Sequence, residues 1–184
     1  WMASLQPDDV LNLKFYDEVG ADRRNLYPKV GRAKRGTQPQ LAVNFKGWRQ
    51  HYTSGALMSL SNMPPIWDVR AGGFKGDDVV DFFLDLGFPS CTPGTTIIMD
   101  NVSTHHYEWG EKILAAADFL DISIKFLPAY CPEWNPIELL FSKLKYKLRR
   151  VTTKSIFFGF ADAYASVTQE DCLGWAQSCG YKVY

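Results

Sequence analysis

The sequence predicts an α/β domain, a mixed sheet with helices packed against its faces. Two observations carry this prediction. Extended, turn-punctuated segments come first, at residues 11–17, 40–48 and 52–60, and the second half then alternates helix, strand, helix, strand, helix. A length of 184 residues with 46% apolar content suits one domain, residues 1–184, with a single substantial core and no need of disulfide or metal support.

Each element has its own signal. "LNLKFYD" (11–17) reads as a strand, and the stretch from Gly20 to Gln38 as a long basic connection. "QLAVNFKGW" (40–48) and "YTSGALMSL" (52–60) read as the next strands, joined by a turn around Lys46 and Gly47 into an antiparallel meander that "PIWDVR" extends after a Pro-Pro break. "KGDDVVDFFLDLGF" places apolar residues at 79, 80, 82, 83, 84 and 86, an amphipathic helix with Gly87 as its expected cap. "TTIIMD" (95–100) is a β-branched run suited to a buried central strand. Ser103 or Thr104 is the expected cap of a helix over 105–120, whose inner face would carry Ile113, Leu114, Ala117 and Leu120. "ISIKFLP" is one more strand, 136–150 a helix, and the tail from Ser155 to Gly180 two short helices. Trp48, Trp67, Trp109 and Trp175 read as core residues rather than base-stacking platforms.

Net charge is zero, so no global attraction draws the chain to nucleic acid or to an anionic membrane. The distribution is uneven: Arg23, Arg24, Lys29, Arg32, Lys34 and Arg35 form one basic run, Lys143, Lys145, Lys147, Arg149, Arg150 and Lys154 another, and together they hold 12 of the 20 basic residues. Four cysteines without a CxxC pair predict neither a zinc site nor a disulfide framework, and with no long apolar run or signal-peptide core the expected setting is intracellular, reduced, not secreted and not in a membrane.

Three acidic residues stand where such a sheet places chemistry. In "LPAYCPEWNPIELLFSKLK" (127–145), Asn135 fits an N-cap, Pro136 the first helical position, and Glu138 the capping-box position three residues after the cap. The helix N-terminus that favours a capping carboxylate equally favours an ionised metal ligand. Asp17 ends the first strand, with Glu18 on the opposite face, and Asp100 ends "TTIIMD". Taken singly, Asp17 and Asp100 read as turn residues. If their strands lie side by side and parallel, both project at the carboxyl edge where open α/β sheets bind ligands, and a helix across that edge brings Glu138 to them. Three carboxylates in one cleft repel, and two divalent cations remove the objection: Mg²⁺ takes oxygen ligands, and paired ions serve displacement at phosphorus.

"KFYDEVG", "IIMDNVSTHH" and "LPAYCPEWNPIELLFSKLK" resemble, in order, the three signature blocks of DDE-superfamily endonucleases, the catalytic domains of mariner-like transposases and their bacterial insertion-sequence relatives. The third block is the most specific, matching the family pattern LPxYxPxxNPIE, and "VTQEDCLGWAQSCGY" resembles the end of the domain. The resemblance implies an RNase H-like fold: a five-stranded mixed sheet, its first three strands antiparallel, flanked by helices. It implies catalytic, metal-binding roles for Asp17, Asp100 and Glu138, two Mg²⁺ ions with Mn²⁺ as substitute, and phosphodiester hydrolysis followed by strand transfer at transposon ends. DNA is the implied partner, with a homodimer in a synaptic complex. Thirty-seven residues separate Asp100 from Glu138, a few more than in the animal mariner branch, which points to another subgroup.

Such transposases carry N-terminal helix-turn-helix modules. Only sixteen residues precede Asp17, so these modules are expected to lie outside this chain, and "WMASLQPDD" reads as a truncation boundary. The expected location is the nucleus of a eukaryote, or otherwise the cytoplasm. Among secondary candidates, Asn101 would orient Asp100 or a water, and His105 and His106 would stand next to the site. Lys143 and Lys147 share a helix face at i, i+4 and, with Arg23, Arg24, Arg32, Lys34 and Arg35, are candidates for phosphate contact. The alternatives are a domesticated DNA- or protein-binding module of the same fold without catalysis, and a stand-alone nuclease of the ribonuclease H or resolvase kind.

Overall fold

A computed structural model of the chain describes residues 1, 7–22, 32–38, 51–100, 108–150 and 155–183. Its centre is a five-stranded mixed sheet in the order β3-β2-β1-β4-β5. The strands are β1 (Leu13–Asp22), β2 (His51–Ser59), β3 (Ile66–Ala71), β4 (Thr96–Met99) and β5 (Ser123–Phe126). The first three are antiparallel, while β4 runs parallel to β1 and β5 parallel to β4. "YTSGALMSL" therefore supplies the second strand of this sheet and "PIWDVR" the third; the expected strand at 40–48 lies outside the described residues.

Parallel neighbours need a crossover, and α2 (Glu108–Phe119) supplies the one between β4 and β5. Its expected caps, Ser103 and Thr104, lie outside the described residues. Ile113 and Ala117 are buried as expected, but Leu120 falls in the turn after the helix and is 40% exposed. The remaining helices are α1 (Gly76–Phe82), α3 (Ile137–Leu148), α4 (Ile156–Ala165) and α5 (Gln169–Ser178).

Strand alternation divides the core in two. Phe15, Val19, Ala56, Met58 and Ile98 face α3, α4 and α5, whereas Tyr16, Leu57, Ile97 and Met99 face α1 and α2. On α3, Ile137, Leu140, Phe141, Leu144 and Leu148 repeat at helical spacing and are all buried. Each such side chain contributes about 1.5–3 kcal/mol of burial free energy. Two polar ties orient the helices on this side. The Tyr164 hydroxyl and Ser54 Oγ share a buried 2.9 Å hydrogen bond, and Lys143 on α3 pairs with Asp171 on α5. Asp171 also closes the capping box of α5, accepting from the Thr168 N–H at 2.8 Å. Trp67 stacks on Tyr164 with centroids 5.0 Å apart, and Trp175 packs at the edge of the same core, as expected of them; Trp48 lies outside the described residues.

Two expectations are corrected. β1 does not end at Asp17 but continues to Asp22, because Glu18 to Asp22 stay in register with β2, from Glu18 opposite Gly55 to Asp22 opposite His51. Antiparallel pairing overrides the poor strand propensity of two acids and a glycine. Gly87 is not a left-handed cap: its φ is −65°, and the helical path runs from α1 through a π-helical turn (Phe83–Gly87) into a 3₁₀ turn (Phe88–Ser90). The glycine serves packing instead, since a Cβ there would come within 2.9 Å of the Phe83 ring.

The four cysteines are free, and no described helix is long and apolar enough to cross a membrane.

Candidate active site

The site begins where β4 stops. β1 and β4 are in parallel register from Leu13 opposite Thr96 to Tyr16 opposite Met99, so Asp17 and Asp100 are the next residues on adjacent strands. By alternation Asp17 shares the face of Phe15 and Val19, the one covered by α3. Glu138 sits exposed in the first turn of α3, beside the buried Ile137 that anchors the helix start.

Electrostatics tie the three acids together. Burial pushes the Asp17 carboxyl up, the charges of Glu138 and Asp100 push it further, and despite a 2.7 Å hydrogen bond from the Glu18 N–H it reaches about 7. Both acids, one just past β4 and one in the first turn of α3, lie near enough for their charges to act on Asp17.

Asn135 was read as a helix cap, and the structure corrects this. Its backbone carbonyl accepts from the Glu138 N–H at 3.1 Å, but its side chain does not cap; Nδ2 donates instead to Asp17 Oδ2 at 3.2 Å. The reason is burial. The 3₁₀ turn Pro132–Trp134 delivers Asn135 into the interior, 2% exposed, with its amide turned toward the sheet. Sequence patterning did not single Asn135 out as a site residue because the same dipeptide, Asn-Pro, is also an ordinary helix start.

Past the end of β4 the cleft opens toward the other face as a cavity of about 310 Å³. Asp17 and Asp100 line it together with Tyr16, Glu18, Phe74, Lys75 and Trp109. Glu18, on the face opposite Asp17 as expected, accepts a 3.2 Å bond from the Tyr16 hydroxyl. Gly76 makes room for this wall: a Cβ there would lie 2.3 Å from the Trp109 indole. Trp109 thus lines the cleft as well as packing on the core, a role invisible in its helical position.

Of the other candidates, none of the described ones lines this cavity. Asn101, His105, His106, Arg23 and Arg24 lie outside the described residues. Arg32, Lys34 and Arg35 are exposed around a turn closed by the Thr37 N–H on the Lys34 carbonyl, 3.0 Å. Lys147 is exposed on α3, whereas Lys143 is engaged with Asp171.

Among the described residues, no three His, Cys, Asp or Glu side chains are already gathered as a metal-binding group. The donors nonetheless suit a hard divalent cation. They are oxygens, the most buried carboxylate is destabilised by its neighbours in the way a cation relieves, and Asn135 Oδ1 is buried with no hydrogen-bond partner.

Comparison with known proteins agrees with this geometry. Three solved structures of Mos1 transposase share the fold. The paired-end complex with left transposon end matches at a TM-score of 0.67 and 12% identity, over 92% of this chain and 52% of the other. The strand transfer complex gives 0.68 and 12% over 92% and 51%, and the paired-end complex with Mn 0.66 and 12% over 91% and 51%. The chain thus spans about half the length of these relatives, and the shared architecture is RNase H-like. No curated protein sequence matches it. The family model described as DDE superfamily endonuclease matches residues 12–156, a span that contains Asp17, Asp100 and Glu138, and it is to this family that the chain belongs.

Proposed function

We propose that the chain is the catalytic domain of a DNA transposase, which hydrolyses phosphodiester bonds at transposon ends and joins the freed 3′-OH to target DNA. Asp17, Asp100 and Glu138 would hold two Mg²⁺ ions, or Mn²⁺ in their place. The single observation that carries this reading is the parallel register of β1 and β4, which makes Asp17 and Asp100 neighbours on adjacent strands in a chain of the DDE superfamily endonucleases. When bound, the ions would supply Lewis-acid stabilisation of charge at phosphorus and a more acidic attacking water.

The protein's own contribution is position. Asp17 and Asp100 extend from adjacent strands of the sheet, and a buried apolar face fixes α3, whose first turn carries Glu138. Carboxylates held this way have little reorganisation left to undergo during reaction. Exposed Lys147, Arg32, Lys34 and Arg35 are the candidates for phosphate contact, which gives affinity without base readout. Work in pairs within a synaptic complex is part of the proposal, and DNA as partner is supported by the transposon-end complexes among the Mos1 structures.

The test is nicking of supercoiled plasmid in Mn²⁺ or Mg²⁺ by wild type and by Asp17→Ala, Asp100→Ala and Glu138→Ala. Each variant is expected to fold and to lose about 10³-fold or more in rate. Retained metal-dependent nicking in any of them would refute the assignment.

A further inference from the structure

We propose that Asn135 is a positioning residue for Asp17: Nδ2 sets the orientation of the carboxylate, and the unpaired Oδ1 accepts from water that enters with the cation. The inference rests on the cation-site reading above and deepens it.

The geometry leaves this amide no local task. Its backbone N–H donates to the Pro132 carbonyl at 3.0 Å and its carbonyl accepts from Glu138, so the helix start is satisfied without the side chain. The turn that carries it is fixed from outside, since the Tyr181 hydroxyl donates to the Trp134 carbonyl at 2.9 Å, and buried Pro136 follows. Held so, the side chain reaches 118 positions back along the chain to Asp17 Oδ2. Its other end is the only buried side-chain polar atom without a partner among the described residues. Orphaned buried acceptors are rare in folded proteins, and a water or an ion beside them is among the ordinary ways they are satisfied. Groups that hydrogen-bond a metal-binding side chain set its orientation, and their loss typically weakens metal affinity by about 10- to 100-fold.

The experiment uses Mn²⁺ itself as probe, with affinity read by electron paramagnetic resonance for wild type and Asn135→Leu, a change of similar volume that removes both hydrogen-bonding ends. The expected result is a folded variant with affinity about tenfold or more weaker, and a lower nicking kcat at unchanged KM for DNA. A folded variant with wild-type Mn²⁺ affinity overturns the proposal. A second measurement needs no variant at position 135. In the ¹⁵N spectrum of the wild-type chain, the Asn135 side-chain amide should shift along the Mg²⁺ binding curve, and the shift should vanish in Asp17→Ala. An amide indifferent to saturating Mg²⁺ overturns the proposal, whatever the leucine variant does. Failure of the nuclease reading looks different: metal binding that moves Asn135 without any DNA nicking removes the proposed function and supports the positioning role.

Discussion

The two halves of β1 differ in their number of neighbours. From Lys14 to Tyr16 the strand is paired on both edges, to β2 and to β4, and every residue from Leu13 to Tyr16 is buried. From Asp17 onward only β2 remains, and burial alternates: Glu18 and Gly20 are exposed, Val19 and Ala21 buried. The first half behaves as the centre of a mixed sheet buried on both faces, the second as an antiparallel strand with one open side. Asp17 stands at the junction. It takes rigidity from the first half and access from the second, which is what a residue needs in order to meet substrate without moving.

The sharpest way to break this comparison is to change one residue in each half. Asp17→Asn should lose about 10³-fold or more in nicking while remaining folded. Phe15→Ala, two positions earlier and fully buried, should cost about 3–5 kcal/mol in urea unfolding through the cavity it leaves. If Asp17→Asn unfolded the chain as badly as Phe15→Ala, the junction would be structural and the comparison would fail.

The next effect is nearly as large and has a definite sign. Asp17 goes from an ordinary 3.8 to about 7 on folding, so between those values the folded chain binds more protons than the unfolded one. Stability from this group is complete below the lower value and is lost as pH rises toward the upper, up to about 4 kcal/mol for the full shift. Metal-free wild type should therefore weaken from pH 4 to pH 7 relative to Asp17→Asn, and the variant should be the more stable chain at pH 8. Parallel stability curves for the two would show that Asp17 is not under pressure.

The smallest effect lies far from the junction. Lys143→Ala removes the pair with Asp171, which joins α3 to α5 while partly exposed, and should cost about 1 kcal/mol or less. A larger loss would mean that the orientation of α3, and with it Glu138, depends on this one contact.

What could be read from the sequence follows the same division. Periodic and β-branched runs such as "IELLFSKLK" and "TTIIMD" announced their elements because local pattern and tertiary role coincide there. Asp100 and Glu138 were legible as strand-end and helix-start residues, whereas Asp17 was legible as an acid of the first strand but not as a residue in its middle. The far half of β1 was not, because Glu18, Gly20 and Asp22 are poor strand formers held in place only by β2, a partner some thirty residues away. Gly87 and Asn135 were misread for a related reason. Each fits a local capping rule, yet each answers to a distant or bulky neighbour, the Phe83 ring in one case and Asp17 in the other. Lys143 reads in the sequence as a candidate for phosphate contact because its partner Asp171 lies on a helix that comes later in the chain.

The central claim is that acids from the middle of β1, the end of β4 and the start of α3 converge to hold metal. Anomalous scattering from crystals of the chain soaked in Mn²⁺ tests it most directly. The account predicts Mn²⁺ bound by the carboxylates of Asp17 and Asp100, with Glu138 completing the set and oxygen distances of about 2.0–2.3 Å, as expected for small hard divalent ions. Manganese bound elsewhere, with those three side chains empty at saturating metal, would contradict it.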